Sequence, residues 1–268
     1  MTGTTTYDFD GESAIVTGST KGIGRGIAER LVDAGANVLV NARTEADVER
    51  VADELDAAAA GRVAGVAADV SDPEGIERVV ETGVEEFGQI DLLVNNAAVW
   101  PREGSMVDAD VEDWDYTMNV NVRAQFYAAK LVAQHMIDEG VAGNIVNVTS
   151  QTGDRRTGGR GLYGVSKTSI NGLTWRMAHD LAQHGIRMNA VSTDVTESYQ
   201  LRKDARLIAE EREGVTEQDV LDEWAEERPL GRLGQPEDIG DAVCFLAGDT
   251  AEYVVGTILR VSGGGNLQ

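Results

Sequence analysis

Thr17-Gly18-Ser19-Thr20-Lys21-Gly22-Ile23-Gly24 follows directly on a short apolar run, Ala14–Thr17, and opens a segment of helical periodicity, Ile23–Ala34. Glycines let the chain turn tightly and bring backbone N–H groups close to a pyrophosphate at the start of the helix. A glycine-rich run by itself serves many turns. Set between a strand and a helix within a βαβ unit, it reads as a dinucleotide-binding loop.

Outward from that loop the chain keeps one rhythm. Short runs rich in Val and Ile recur at Val38–Asn41, Val63–Ala67, Leu92–Asn95, Asn144–Val148, Met188–Val191 and Thr257–Val261. Near-continuous apolar strands are buried on both faces, as in a parallel sheet. Helical stretches alternate with them: Ala46–Ala58, Pro73–Phe87, Val111–Met136, Leu162–Gln183 and Pro236–Ala247. The expected fold is α/β: a doubly wound, Rossmann-type, seven-stranded parallel sheet with helices on both faces. At 268 residues, without repeat or linker, the chain is expected to form a single domain over 1–268. One acidic segment, Glu197–Arg228, interrupts the rhythm between the sixth and seventh strands. Ligands of open α/β sheets bind beyond the carboxyl ends of the strands, which places this insertion as a substrate lid; a solvated surface helix is the alternative.

The formal net charge is −23, from 46 acidic and 23 basic residues, which argues against nucleic acid as a partner. Only Lys21, Lys130, Lys167 and Lys203 are lysines. An acidic, lysine-poor surface suits a salt-rich, halophilic cytoplasm, where screening removes self-repulsion; a merely acidic protein is the alternative. In so lysine-poor a chain, each lysine present points to a task of its own. Cys244 is the only cysteine, so no internal disulfide forms. Neither a basic, apolar leader nor a membrane-length apolar run is evident, and the expected location is cytoplasmic, off the membrane. His135, His179 and His184 lack metal-ligand spacing, and no metal is expected.

Tyr163-x-x-x-Lys167 lies on the predicted helix Leu162–Gln183, where a spacing of four puts both side chains on one face. An unperturbed phenol titrates near pH 10, and an adjacent ammonium favours its ionised form, which suits proton transfer. Charge at the second strand bears on the cofactor: Ala42 and Arg43 stand where a carboxylate would accept from a ribose 2′-hydroxyl. An arginine offers a planar fork to a 2′-phosphate, and Lys21 adds a second positive charge, so NADP is favoured over NAD. Stacking of Arg43 on adenine with NAD bound is the alternative.

Several motifs carry a family resemblance. The glycine spacing is TGxxxGxG. Asn95-Asn96-Ala97-Ala98 follows the fourth strand, Asp69-Val70 the third, and Pro229-Leu230-Gly231-Arg232-Leu233-Gly234-Gln235-Pro236 precedes the last helix. Ser150 stands thirteen residues before Tyr163, and Asn121 lies between Trp114 and Phe126. In this order, across residues 10–265, the chain resembles the short-chain dehydrogenase/reductase family. The resemblance implies a nicotinamide-dependent oxidoreductase acting on a carbonyl/alcohol pair. Gly18, Ser19, Thr20, Lys21, Gly22, Ile23, Gly24, Arg43, Asp69, Val70, Asn96, Tyr163, Lys167, Thr196 and Ser198 would hold the cofactor. Ser150, Tyr163, Lys167 and Asn121 would be catalytic. Ser150 would hold the carbonyl oxygen, Tyr163 give the proton, Lys167 bind the ribose hydroxyls and Asn121 hold a water leading from the lysine to solvent. Pairing through Val111–Met136 and Leu162–Gln183 would give a homo-oligomer, a dimer or homotetramer.

The chain departs from the family where Thr193-Asp194 replaces Pro-Gly, which bears on the Thr196 and Ser198 assignments; the Asp194 charge is expected to be solvated. Ala98 adds a methyl group where the family has glycine. Around the predicted site, Trp100, Arg102 and the loop Gln151–Gly161, with Arg155, Arg156 and Arg160, offer polar and cationic groups. A pocket recognising hydroxyls needs such groups, so the expected small-molecule substrate is a sugar or sugar acid. A 3-oxoacyl thioester, whose carrier phosphate would meet the arginines, is the second reading; a non-catalytic nucleotide-binding scaffold is a third. The arginines could instead pair with acidic neighbours or another subunit.

Overall fold

The computed structural model describes residues 6–57, 59–101, 105–154 and 161–267. Arg102, Arg155, Arg156 and Arg160 lie outside the described residues. Seven strands run β1 Ser13–Val16, β2 Asn37–Ala42, β3 Val63–Ala67, β4 Leu92–Asn95, β5 Asn144–Ser150, β6 Arg187–Thr193 and β7 Ile258–Val261. They form a single parallel sheet in the order β3-β2-β1-β4-β5-β6-β7. The order reverses between β1 and β4, and their carboxyl ends open the crevice where such folds take ligands.

Alternate residues of β1 show how both faces are buried. Ala14 and Val16 point into a core built with Ile27 and Leu31 of α1 (Gly22–Asp33), Val51 and Leu55 of α2 (Glu45–Asp56), and Ile239 and Val243 of α9 (Pro236–Ala247). Ile15 points the other way, towards Ile76 and Val79 of α3 (Pro73–Phe87), Val132 of α5 (Ala124–Glu139) and Leu181 of α6 (Gly161–Ala182). Each such side chain contributes about 1.5–3 kcal/mol of burial, and the sheet collects it from both sides. At the C-terminal end of α9, the Arg187 guanidinium donates to the carbonyls of Leu246 and Ala247 at 2.6 and 2.9 Å. It satisfies groups that a helix end leaves open.

One expectation about the helices is corrected. Val111–Met136 is not one helix: α4 (Val111–Met118) passes through a π-helical turn, Asn119–Arg123, into α5. Such turns widen the helix locally, and this one turns Asn121 inwards to full burial. The segment 197–228 is two helices, α7 (Tyr199–Glu210) and α8 (Glu217–Glu226). Gly214, at φ 76, turns the connection, and a reciprocal Thr216–Asp219 capping box starts α8. The pair packs its own small cluster of Leu201, Ala205, Val220, Leu221 and Leu233. Among the described residues no helix is long and apolar enough to cross a membrane, and no group of three or more His, Cys, Asp or Glu side chains could hold a metal.

Candidate active site

The loop after β1 is bound tightly to its neighbours. Thr17 Oγ1 accepts from the backbone N–H groups of Asn96 and Ala97, both at 3.0 Å. Asn96 Nδ2 donates to the carbonyls of Thr17 and Gly18, at 2.9 and 3.0 Å. Ser19 Oγ donates to Val16 O at 2.7 Å and accepts from Asn41 N at 3.0 Å. Gly18 and Gly22 adopt φ of 65° and 56°, which disfavour any residue with a Cβ. At Gly24 a Cβ would stand 2.3 Å from Gly18 O and 2.4 Å from Asn96 Nδ2.

These residues fit a dinucleotide. The first turn of α1 has no side-chain cap and no acidic residue, whereas α2, α3, α4, α8 and α9 all carry acids there. Its N–H groups and the positive end of the helix dipole are therefore open to an anion at the sheet crevice. Ser19 and Thr20 are buried within the loop, Ile23 is half-buried, and Lys21 is exposed. Asp69 Oδ1 accepts from Ser71 N at 2.9 Å, and Val70 is buried beside it. Arg43 Nη1 donates to Tyr116 Oη at 3.1 Å.

The second half of the site lies where β5 meets α6. Thr149 Oγ1 bonds Lys167 O at 3.2 Å and Asn171 Oδ1 at 2.9 Å, and Asn147 Nδ2 donates to Thr174 Oγ1 at 2.9 Å. These polar ties fix helix against strand. Lys167 is the largest fully buried side chain among the described residues; its Nζ donates to Val148 O at 2.8 Å and stands 5.4 Å from the centre of the Tyr163 ring. Burial pulls its pKa down to about 8, because the charged form loses water. Ser150 ends β5, two residues beyond Val148, and its Oγ accepts from Thr152 N at 3.3 Å.

Asn121 joins this half to the loop after β4. Its Oδ1 accepts from Val99 N at 2.7 Å, and its Nδ2 donates to Val99 O and Ser166 Oγ at 2.9 and 3.0 Å. Ser166 Oγ in turn donates to Tyr163 O at 2.7 Å. Trp100, next after Val99, stacks on Tyr163 with centroids 5.1 Å apart and planes at 16°.

The loop after β6 differs from expectation. The Asp194 carboxylate is not solvated: it lies 3.0 Å from Arg228 Nε, both side chains being about nine-tenths buried. The partner arrives from just beyond α8, so the charge that replaced Pro-Gly is matched inside the protein. Thr196 is buried and pairs with Gly234, while Ser198 Oγ accepts from Leu201 N at 3.2 Å and caps α7. The Ser198 Cβ lies 3.3 Å from where a Cβ would stand on Gly22, so this loop borders the glycine loop.

Sequence reasoning missed Thr17, Asn41, Tyr116, Ser166 and the β5–α6 polar ties. One signal was readable: Asn147 and Thr149 alternate with the apolar Val146 and Val148 along β5.

A family model described as Enoyl-(Acyl carrier protein) reductase matches residues 18–266. The chain is 35% identical to Dehydrogenase/reductase SDR family member 4 of Caenorhabditis elegans, covering 96% of this chain and 95% of the relative. It is 34% identical to the 3-oxoacyl-(acyl-carrier-protein) reductase FabG of Escherichia coli (strain K12), covering 96% and 98%. Its fold is similar to that of L-sorbose reductase from Gluconobacter frateurii, solved with NADPH and L-sorbose. The TM-score is 0.91 at 29% identity, over 96% of this chain and 97% of that one.

Proposed function

The chain belongs to the short-chain dehydrogenase/reductase family of oxidoreductases, and from that premise we propose that it interconverts the carbonyl and alcohol of a sugar or sugar acid with NADP(H). The observation that carries the reading is the arrangement at the end of β5: Tyr163 on one face of α6 with Lys167, whose Nζ is 5.4 Å from the phenol ring, and Ser150 closing the strand. When bound, the nicotinamide supplies or accepts the hydride. In reduction, Ser150 Oγ donates a hydrogen bond to the carbonyl oxygen and Tyr163 Oη gives that oxygen its proton; oxidation reverses the transfer. Lys167 would hold the ribose hydroxyls of the bound cofactor and sets the charge beside the phenol, while Asn121 fixes the loop after β4 against α6.

Arg43, with Lys21, favours NADP over NAD, since both offer charge to a 2′-phosphate. Gln151 and Thr152, directly after Ser150, support a hydroxyl-rich substrate. Their buried side-chain polar atoms have no hydrogen-bond partner among the described residues, and each such group costs about 1–3 kcal/mol until something satisfies it. The similarity to L-sorbose reductase points the same way. The likeness to a 3-oxoacyl-(acyl-carrier-protein) reductase favours a second reading, a 3-oxoacyl thioester. In either case the chain works as one domain with α7–α8 as its lid. It pairs through α5 and α6, where Phe126 and Trp175 are exposed, and its acidic surface is an adaptation to salt.

The test is turnover of aldoses, sugar acids and 3-oxoacyl thioesters with NADP(H) and NAD(H), at low and molar salt. Oxidation of a sugar with NADP, lost in Tyr163→Phe, is the expected result. Turnover of thioesters alone would replace the substrate class, and a strong preference for NAD would overturn the role of Arg43.

A further inference from the structure

We infer that Tyr116 is a positioning residue for the phosphate that distinguishes NADP from NAD, holding Arg43 ready for a dianion; the inference rests on the NADP reading above. Arg43 follows Ala42, the last residue of β2. The backbone there is fixed, since Ala68 N donates to Ala42 O at 2.9 Å and the Asn41 amide bridges Val66 O and Ala68 O, both at 3.2 Å. The side chain beyond it is long and flexible, and a free guanidinium loses rotamer entropy when a ligand orders it. Tyr116, brought by α4 from 73 residues away, accepts from Arg43 Nη1 at 3.1 Å and supplies that order in advance.

The chemistry of the partner matters more than the bond. Ten of the described arginines each meet a carboxylate. In a chain of 46 acidic residues that is the expected fate of a guanidinium. Arg43 meets a neutral phenol instead, and no carboxylate pairs with it among the described residues. A carboxylate would cancel the charge, whereas a phenol orients it and leaves it uncompensated. The phenol accepts through a lone pair, so its own proton remains available to donate to a phosphate oxygen. Two donors of different kind thus converge on one anion, on a protein whose overall field repels anions.

The test is calorimetric titration of the protein with adenosine 2′,5′-bisphosphate and with 5′-AMP. These probes carry the halves of NADP and NAD that differ. The wild type should prefer the bisphosphate, and Arg43→Ala should abolish that preference. Tyr116→Phe, which keeps the exposed ring, should cut the preference about three- to ten-fold through the bisphosphate alone, leaving 5′-AMP unchanged. Full preference retained in Tyr116→Phe, while Arg43→Ala loses it, would overturn the role of Tyr116. Equal weakening of both probes would overturn it too, since the ring would then serve the adenosine. No preference in the wild type, or none lost in Arg43→Ala, would instead overturn the NADP reading itself.

Discussion

Asp194 and Arg228 form an ion pair closed over by the chain's own C-terminal segment: Nε stands 3.0 Å from Oδ2, and a Cβ at Gly265 would lie 2.2 Å from that oxygen. The pair ties the residue after β6 to one two residues beyond α8, bracketing the segment with Thr196 and Ser198. Breaking a buried pair typically costs about 3–5 kcal/mol; here Arg228 would keep one partner, the exposed Glu227 carboxylate 2.8 Å from its Nη1. Asp194→Asn, which conserves volume, should lower the unfolding free energy by about 3 kcal/mol in denaturant titration. A loss below about 1 kcal/mol would mean that Glu227 or solvent compensates the Arg228 charge.

The buried ammonium gives stability a dependence on pH. Lys167 has its pKa pulled to about 8 in the folded protein by burial, while an unfolded lysine keeps the ordinary 10.5. Between those values the unfolded chain binds more protons, so stability contributed by this group rises with pH from about 8 to 10.5. The full effect is about 3 kcal/mol. Urea titrations of the wild type and Lys167→Met across that range isolate it, because other groups titrate in both. The wild type should gain stability relative to the variant as pH rises; parallel curves would place water around Nζ.

The aromatic stack at the site has an energy of its own. Offset stacked rings contribute about 0.5–1.5 kcal/mol beyond their burial. Trp100→Leu should remove this and free the Tyr163 ring, lowering kcat about ten-fold with the cofactor dissociation constant unchanged. Trp100→Phe, which preserves a stacking face, should recover most of the rate. Steady-state kinetics with the best substrate of the panel, alongside cofactor titration, separates orientation from binding.

At Gly24 a single methyl group should empty the cofactor site. The added Cβ would meet a backbone oxygen at 2.3 Å, and that oxygen belongs to the loop itself. Gly24→Ala should therefore displace the Gly18 carbonyl, costing about 1–3 kcal/mol of stability. Binding of adenosine 2′,5′-bisphosphate should weaken beyond detection. Retained binding would mean that the loop opens in solution.

The frame of the protein was readable where local chemistry decides it. α3 and α9 begin with proline after a capping residue, and both run over the expected spans, Pro73–Phe87 and Pro236–Ala247. β3 and β4 also match their apolar runs. β5 and β6 run two residues further than their apolar stretches, because Thr149 and Ser150, like Ser192 and Thr193, keep pairing across the ladder. Hydrophobic pattern cannot report a polar strand end. The π turn at Asn121 was hidden too: the Asn121 side chain it carries bonds to Val99, 22 residues away, which local pattern does not show. Tyr116 as the partner of Arg43, and Arg228 as that of Asp194, depend on tertiary contacts 73 and 34 residues apart, to which no periodicity points.

The strand order also governs how the protein is born. β1 lies between β2 and β4, and Val16 pairs with Val94. The first strand thus leaves the ribosome with one edge unmatched until residues 92–95 follow. At about 5–20 residues per second that interval lasts roughly 4–15 seconds. For that time an apolar edge is available to other chains, which is the hazard of open strands. Slow synthesis before β4 should therefore favour aggregation, and expression yield should respond to chaperones acting on the nascent first half.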